Sequence, residues 1–237
     1  AEGEFDYPRG DTNVYNHYDV SGGVPIGSLW RRFLFGWRYG GTRLLLSGYP
    51  RAGSRIMFHR TIRDRVKRIV PFLRLDRDPY IVLAGGRLYW IIDAYTTSEN
   101  YPYSEPFRSG RGPRGGDGAA GRLAAGDLPP EMGGVNYMRN AVKVVVDAYN
   151  GSVDLYVIDP DDPLIRAWRN VFPGVFKDID RLGPDLFAHL RYPSDLLLVQ
   201  GAIFSKYHMT DPEVFYNQED LWVRATEKYY QSVQPIQ

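Results

Sequence analysis

The sequence predicts an α+β domain, with an antiparallel sheet built from two β-hairpins, flanked by N-terminal helices and a helical C-terminal third. Apolar residues recur at helical spacing near the N-terminus, at strand spacing around two glycine-containing turns, and at helical spacing again in the last third. With 237 residues, 43% of them hydrophobic, the chain can bury a substantial core. We therefore expect a single domain over residues 1–237.

The N-terminal part predicts an irregular arm over residues 1–20 and then two helices, over 24–38 and 54–70. Pro25 suits the first turn of the first helix, and Ser54 is a plausible N-cap of the second. The apolar stripe of the first helix favours packing into the core. A membrane-interface anchor is the alternative that its tryptophans allow. The stripe consists of Ile26, Leu29, Trp30, Phe33, Leu34 and Trp37.

Two hairpins follow. Strands at 80–83 and 88–95 flank Gly85-Gly86, and strands at 141–149 and 153–158 flank Asn150-Gly151, a dipeptide typical of two-residue turns. Asp93 and Asp147 each end an apolar strand and would be paired carboxylates if those strands adjoin. The alternative, which we favour, is that each caps a turn through its own backbone.

The last third predicts a helix that Asp162 caps and Pro163 begins, a short helix over 185–190, and a longer one over 194–207. Shorter helical turns are expected to start at Asp211 and Asn217. The apolar residues that the longer helix is expected to bury are Leu196, Val199, Ile203, Phe204 and Tyr207. Residues 107–134 lack periodicity and are rich in glycine, which predicts a flexible insert.

Charge is unevenly distributed along the chain. The net charge of +1 argues against a wholly basic nucleic-acid binder, yet residues 31–87 carry 14 basic and three acidic side chains. Residues 140–237 carry nine basic and 14 acidic ones. The favoured interpretation is that the basic block packs on the acidic third. The alternative is that residues 31–87 form a face for phosphate, from lipid headgroups or nucleic acid.

No chemical activity emerges from the motifs. The absence of cysteine excludes disulfides, thiolate metal sites and cysteine nucleophiles. No hydrolase elbow, zinc-helix motif or phosphate loop is present, so we assign no catalytic, cofactor or metal residue. Asp159, Asp161 and Asp162 either hold a cation or form a strand-to-helix turn, and the turn is favoured. His208 is the best candidate for a titrating group, whereas His59 fits the edge of a core.

Several long strings together resemble uncharacterised protein family 0182, bacterial membrane proteins of unknown function. They are Glu4-Phe-Asp-Tyr-Pro, Ser21-Gly-Gly-Val-Pro-Ile-Gly-Ser, Phe72-Leu-Arg-Leu-Asp-Arg-Asp-Pro-Tyr, Leu88-Tyr-Trp-Ile-Ile-Asp-Ala-Tyr-Thr-Thr, Tyr101-Pro-Tyr-Ser-Glu-Pro, Ile158-Asp-Pro-Asp-Asp-Pro and Tyr207-His-Met-Thr-Asp-Pro-Glu-Val-Phe-Tyr-Asn-Gln-Glu-Asp-Leu-Trp.

The resemblance implies N-terminal membrane helices followed by a large soluble region, of which this chain would be the middle part. A chain that begins at Ala1 without Met fits that expectation. The resemblance also implies an extracytoplasmic location at a bacterial cell membrane and no catalytic residues.

We therefore expect a binding or interaction module without catalysis. Its expected partners are the membrane helices of its own full-length chain and an unknown protein or small molecule, with no nucleic acid. The alternatives are an envelope-acting hydrolase that uses Asp93 and Asp147, and a phosphate-binding face at 31–87.

Overall fold

The computed structural model describes residues 4–16, 22–41, 45–46, 48, 50, 53–107, 132–217, 219–222, 226–229 and 232–235. The chain divides into two units. Unit 1 comprises residues 1–65 and 149–152, and unit 2 comprises residues 66–148 and 153–237. Both helices and antiparallel sheets are present, which confirms the α+β class. A single domain over 1–237 stays a prediction.

Unit 1 begins with a hairpin of strands β1 (Glu4–Arg9) and β2 (Thr12–Asn16). The prediction of an irregular arm is therefore wrong for these residues. Gly10 has a positive φ of 59°, a conformation that glycine adopts without steric cost, and it allows the tight connection. A second short pairing joins β3 (Val24–Pro25) to β4 (Arg55–Ile56).

The first helix, α1, spans Leu29–Tyr39 and begins five residues later than predicted. Pro25 lies in β3, and the N-cap is Ser28, whose Oγ accepts a hydrogen bond from the Arg31 amide at 3.3 Å. The helix ends at Gly40 in the left-handed region. Core packing of Trp30 and Trp37 is also wrong, because both side chains are exposed.

The second helix, α2, spans only Ile62–Ile69 instead of 54–70. Arg55 and Ile56 are used for strand pairing, and His59 has a positive φ of 55° that a helix cannot contain. Ser54 therefore caps no helix, and its carbonyl accepts a hydrogen bond from the Ile26 amide.

Unit 2 is built on a six-stranded sheet. The strands are β5 (Arg74–Leu75), β6 (Tyr80–Ala84), β7 (Arg87–Ser98), β8 (Tyr137–Asp147), β9 (Val153–Val157) and β10 (Phe176–Asp178). Their order in the sheet is β10-β9-β8-β7-β5, and β6 also pairs with β7. All pairs are antiparallel except β10 with β9.

The two predicted hairpins are present. Gly85 and Gly86 both have positive φ and join β6 to β7 in a two-residue turn. The turn at Asn150-Gly151 is longer than predicted, because β8 and β9 separate after the Val146–Val153 pair. Asn150 folds this longer loop by accepting the Ser152 amide on its Oδ1 at 2.7 Å.

Helices and turns after β9 cover the sheet. One face packs Val82, Ile91 and Val145 against Leu182, with Ile179, Leu186 and Leu190 around them. Elsewhere Phe72 stacks on Trp168 with ring centroids 3.9 Å apart. The helical elements after β9 are α3 (Pro163–Val171), which supplies Trp168, a 3₁₀ turn (Ile179–Arg181), α4 (Pro184–Phe187), α5 (Ser194–Tyr207) and α6 (Pro212–Asn217).

Helix α5 has the predicted bounds, but the prediction that its apolar residues are buried is wrong for three of the five. Val199 is buried, whereas Ile203, Phe204 and Tyr207 are exposed. After α6, strands β11 (Thr226–Tyr229) and β12 (Ser232–Pro235) form a hairpin that the sequence pattern did not indicate. No helix among the described residues is both long and apolar enough to span a bilayer.

The predicted glycine-rich insert falls mostly on residues 108–131, which lie outside the described residues. Its two ends are held together. The Phe107 amide donates to the Val135 carbonyl at 2.7 Å, and the Gly134 amide donates to the Phe107 carbonyl at 2.8 Å. Met132 and Val135 are buried beside this junction.

Substitution of Gly86 by alanine is expected to lower the free energy of unfolding by about 1–2 kcal/mol, because an L-residue strains at its φ of 74°. No heavy atom lies within 4 Å of the added Cβ, so the loss isolates the backbone conformation. Urea denaturation of Gly86→Ala would measure it.

The matched control is Gly183→Ala, whose φ is −59° and whose Cβ would also meet nothing. It should change stability by only a few tenths of a kcal/mol. Equal losses for the two variants would contradict the turn assignment.

Candidate functional site

The centre of unit 2 holds a buried ion pair between Asp93 of β7 and Lys143 of β8. The two residues are directly opposite in the antiparallel register, and each is 2% exposed. The Lys143 Nζ contacts Asp93 Oδ1 and donates a hydrogen bond to the Arg191 carbonyl at 2.8 Å. Asn140 Nδ2 donates to Asp93 Oδ1 at 3.1 Å. Both charges are therefore neutralised by partners inside the fold.

A second cluster joins the sheet edge to α5. Tyr95 donates its hydroxyl to Asp76 Oδ2, which also accepts the Asp195 amide at 3.0 Å. The Asp195 carboxylate receives the Arg77 amide at 2.9 Å and the Arg77 Nε at 2.8 Å. Asp76 Oδ1 accepts the Asp78 amide at 2.8 Å. This acidic cluster thus fixes the first turn of α5 against the segment after β5.

Burial sets the proton affinities of these groups. It raises the pKa of Asp93, and the Lys143 ammonium opposes that rise. Burial likewise raises the pKa of Asp195, against the hydrogen bonds from Arg77. The pKa of Tyr95 lies far above its ordinary value, because burial and the hydrogen bond to Asp76 disfavour the phenolate. These directions describe groups that the fold desolvates and then partners.

Asp93 and Asp147 do not form a carboxylate pair. Asp147 lies opposite Tyr89 and pairs with Arg87 at 2.7 Å, whereas Asp93 lies opposite Lys143. The four positions between Lys143 and Asp147 along β8 correspond to about 13 Å. Two-carboxylate hydrolysis uses separations of at most about 10 Å. The geometry therefore gives no support to a hydrolase built on these two residues.

Asp162 is the N-cap of α3, as predicted. Its Oδ2 accepts the Ile165 amide at 2.9 Å and the Thr96 hydroxyl at 2.8 Å, and Tyr137 donates to its Oδ1. Burial and, to a smaller extent, this hydrogen bond raise the pKa of Tyr137 to about 12. The contacts support the strand-to-helix turn over the cation site at Asp159, Asp161 and Asp162. Within the described residues, no group of three acidic or histidine side chains is arranged to hold a metal ion.

Two of the described histidines, His208 and His59, pack against aromatic neighbours. The His208 ring stacks on Trp222 at 4.2 Å and its Nδ1 lies 3.3 Å from the Phe204 carbonyl. Its Nε2 is buried without a hydrogen bond and is 3.7 Å from Asp220, rather than paired with Asp211 or Glu213. His59 packs edge-on against Phe58 in unit 1. The structure does not bring these histidines to the buried carboxylates.

An open cleft of about 490 Å³ lies at the C-terminal end of α3. Its polar lining includes Arg166, Arg169 and Asn170. Arg169 already donates to Asp178 at 2.8 Å. None of the buried carboxylates lines this cleft, so it brings no acid toward a bound molecule.

Sequence patterning missed Asp76, Tyr95, Lys143 and Asp195. A usable signal existed for Lys143, which is a single charge within the apolar run 141–146, just as Asp93 is within 91–95. A lone charge in a buried strand is stable only beside an opposite charge. The two apolar strands that each contain one buried charge could therefore have been matched with each other. No comparable signal marks Asp195, because serine and aspartate are ordinary at a helix start.

The fold and the site together define an α+β protein with a buried ion pair between two central strands of its sheet and an acidic cluster that joins the sheet to a helix. Its sequence matches the model of the Uncharacterised protein family (UPF0182) over residues 1–237, and the chain belongs to that family. This confirms the resemblance.

Relatives of this chain include UPF0182 proteins of three organisms. The protein of Cupriavidus necator is 51% identical over 219 residues, 92% of this chain and 22% of the relative. That of Pelotomaculum thermopropionicum is 44% identical over 234 residues, 99% of this chain and 23% of the relative. That of Methanospirillum hungatei is 46% identical over 231 residues, 98% of this chain and 24% of the relative.

The chain therefore spans about a quarter of the length of the relatives it matches. No solved structure matches it.

Replacement of Lys143 by methionine is expected to destabilise the protein by about 3–5 kcal/mol near pH 8, because Asp93 is left as an uncompensated buried charge. The loss should shrink toward pH 5. The pKa of an unfolded aspartate is near 3.8, and that of the buried Asp93 is raised above it. The folded protein therefore holds its proton to a higher pH than the unfolded chain does, and stability falls as the pH rises from 3.8 to the folded pKa. Urea unfolding of Lys143→Met across this range would measure both effects.

The pH dependence caused by Lys143→Met should disappear when Asp93→Asn is added. Lys177→Met is the surface control, since Lys177 pairs with Asp154 in partial exposure and should cost under about 1 kcal/mol. A loss for Lys143→Met that is equal at both pH values would contradict a charged Asp93 partner.

Replacement of Asp162 by alanine should lower the free energy of unfolding by about 1–3 kcal/mol, because the Ile165 amide and two hydroxyls lose their acceptor. Asp161→Ala, on an exposed neighbour, should be neutral. Thermal melts with and without calcium separate the two interpretations. A calcium-dependent rise in the melting temperature that either variant abolishes would favour the cation site.

Proposed function

We propose that this chain is a binding module without catalysis, which docks on another part of the longer protein to which it belongs. The observation that carries this proposal is an exposed apolar surface on α5, α6 and the residues after them. We call it the α5–α6 face. It consists of Leu197, Ile203, Phe204, Tyr207, Phe215, Tyr216, Leu221 and Trp222.

Ring contacts join the elements of the α5–α6 face. Phe204 packs on Trp222 with ring centroids 5.7 Å apart, and Tyr207 packs on Phe215 at 5.5 Å. Exposed apolar surfaces that extend over several residues on soluble proteins are typical of interaction sites.

The Asp195 contacts with Asp76 and Arg77 anchor the start of α5 to the sheet, and the Trp222 amide donates to the Ser205 carbonyl at 3.3 Å. The α5–α6 face is therefore pre-organised, and little conformational entropy would be lost in ordering it when a partner binds.

The chemistry of the rim and the length of the relatives favour an intramolecular partner. Asp211, Glu213, Glu219 and Asp220 border the face, so a contacting segment that carries Arg or Lys beside apolar residues would complement it. The relatives are about four times as long as this chain, so each has ample further sequence to supply such a segment.

The proposal that the module has no catalytic activity is based on the burial and hydrogen bonding of its acidic side chains. Asp76, Asp93, Asp147, Asp162 and Asp195 are buried, and each accepts hydrogen bonds from residues of the fold. A general acid or base must reach a bound substrate. The cleft beside α3 contains none of these carboxylates.

We further propose that the module lies outside the cytoplasm, as the soluble part of a bacterial membrane protein whose membrane helices are among its partners. The support for this location is the family resemblance of the sequence strings.

One labelling experiment tests both the location and the docking. The chain has no cysteine, so single cysteines report cleanly once any others in the full-length protein are replaced. Tyr103, which is fully exposed, and Tyr216, which is 87% exposed, are the two positions. Intact cells that express full-length Tyr103→Cys or Tyr216→Cys would be treated with a membrane-impermeant maleimide.

We expect rapid labelling at position 103 and labelling slowed at least tenfold at position 216, because the α5–α6 face is covered in the full-length protein. In the isolated 237-residue chain both positions should react at similar rates. Labelling at 103 only after lysis would overturn the location. Equal rates at both positions in the full-length protein would overturn the docking.

A further inference from the structure

Helix α1 of unit 1 turns its apolar stripe toward solvent. Trp37 is 80% exposed, Leu29 73% and Trp30 66%, while Phe33 and Leu34 are also exposed. At about 100° per residue these five side chains cover a sector of about 140°. Trp30 stacks on Phe33 at 5.6 Å, and Phe33 contacts Trp37 at 6.1 Å, so the stripe is one continuous surface.

The opposite side of α1 determines this orientation. Gly36 is buried between this side and the Leu29 edge of the stripe, where an added Cβ would lie 3.1 Å from the carbonyl oxygen of Gly41, just past the end of the helix, and 3.7 Å from Leu45 Cδ1. Arg32 donates from Nε to the Ile26 carbonyl at 3.0 Å and from Nη2 to the Pro50 carbonyl at 2.6 Å. Phe35 packs on Phe58 at 6.1 Å. Rotating the stripe inward would break the contacts of Arg32 and Phe35.

The charge around α1 has one sign. Residues 20–63 contain eight arginines and neither aspartate nor glutamate. Arg31 and Arg38 lie along one edge of the stripe at helical spacing. Arg31, Arg32 and Arg55 each donate a hydrogen bond to a backbone carbonyl. An anionic surface would find no repulsive carboxylate along this segment.

We propose that α1 is an interfacial helix that binds the surface of a lipid bilayer containing anionic headgroups. Trp30, Phe33 and Trp37 would lie at the boundary between headgroups and acyl chains, where amphipathic aromatic rings are favoured. Arg31 and Arg38 would contact the phosphates. Leu29 and Leu34 favour lipid over nucleic acid, because aliphatic side chains bury into acyl chains and give no stacking surface for bases.

The test uses the 237-residue chain and two kinds of vesicle, one of phosphatidylcholine alone and one that also contains phosphatidylglycerol. Co-sedimentation should show binding to the anionic vesicles that weakens as salt is raised. Trp30→Ser combined with Trp37→Ser should weaken binding by about tenfold or more, because two large apolar surfaces are lost. Arg38→Glu should weaken it severalfold.

Matched controls exist in unit 2. Phe204→Ala combined with Tyr216→Ala removes two exposed aromatic rings from the α5–α6 face and should leave vesicle binding unchanged. Arg166→Glu reverses one exposed charge outside α1 and should also leave it unchanged. Far-UV circular dichroism of each variant checks that the fold is retained.

Three results would overturn the proposal: binding that ignores phosphatidylglycerol, unchanged binding of the double tryptophan variant, or preferential binding of single-stranded nucleic acid that the α1 substitutions abolish. Each is independent of the labelling at position 216, so this proposal and the docking of the α5–α6 face can fail separately.

Discussion

The buried pair of Lys143 and Asp93 is the constraint on which unit 2 depends. It sits between the two longest strands of the sheet, and burying either charge alone would cost several kcal/mol. The pair also reaches beyond the strands. Lys143 donates to the Arg191 carbonyl just before α5, and the Asp76 amide donates to the Asp93 carbonyl. Asp76 in turn accepts a hydrogen bond from the Asp195 amide in the first turn of α5. A continuous polar path thus connects the middle of the sheet to the helix that presents the α5–α6 face.

Local sequence signals correctly predicted the elements whose structure is determined by residues close together in the sequence. Gly85-Gly86 and Asp162-Pro163 specify a turn and a helix start within a few residues, and both were predicted correctly. Predictions from local sequence were wrong where a residue distant in the sequence determines the local structure. Pro25 suits a helix start, yet pairing of Val24 with Ile56, which lies 32 positions away, places it in a strand. The same pairing shortened α2 from its N-terminal end.

Periodicity alone could not tell the inner side of a helix from the outer side. The stripe of α1 and the apolar residues of α5 have the spacing of core faces. In α1 a hydrogen-bonded arginine, Arg32, and the ring of Phe35 occupy the inner side instead. The acidic cluster around Asp195 was equally hidden, because Asp76 and Asp195 are 119 positions apart. The charge asymmetry of the sequence was in part explained within unit 2, where Arg77 and Arg87 pair with acids from later strands and helices.

The junction between Phe107 and Val135 has a consequence for how this family can vary and be engineered. Two backbone hydrogen bonds close the chain at that point, so the sheet does not depend on the number of residues between them. Homologues could lengthen or shorten the intervening stretch without altering the register of β7 and β8. For the experimenter, we expect the stretch between these two hydrogen-bonded ends, rather than the junction itself, to accept an inserted epitope or fluorescent reporter while the ion-paired sheet stays intact.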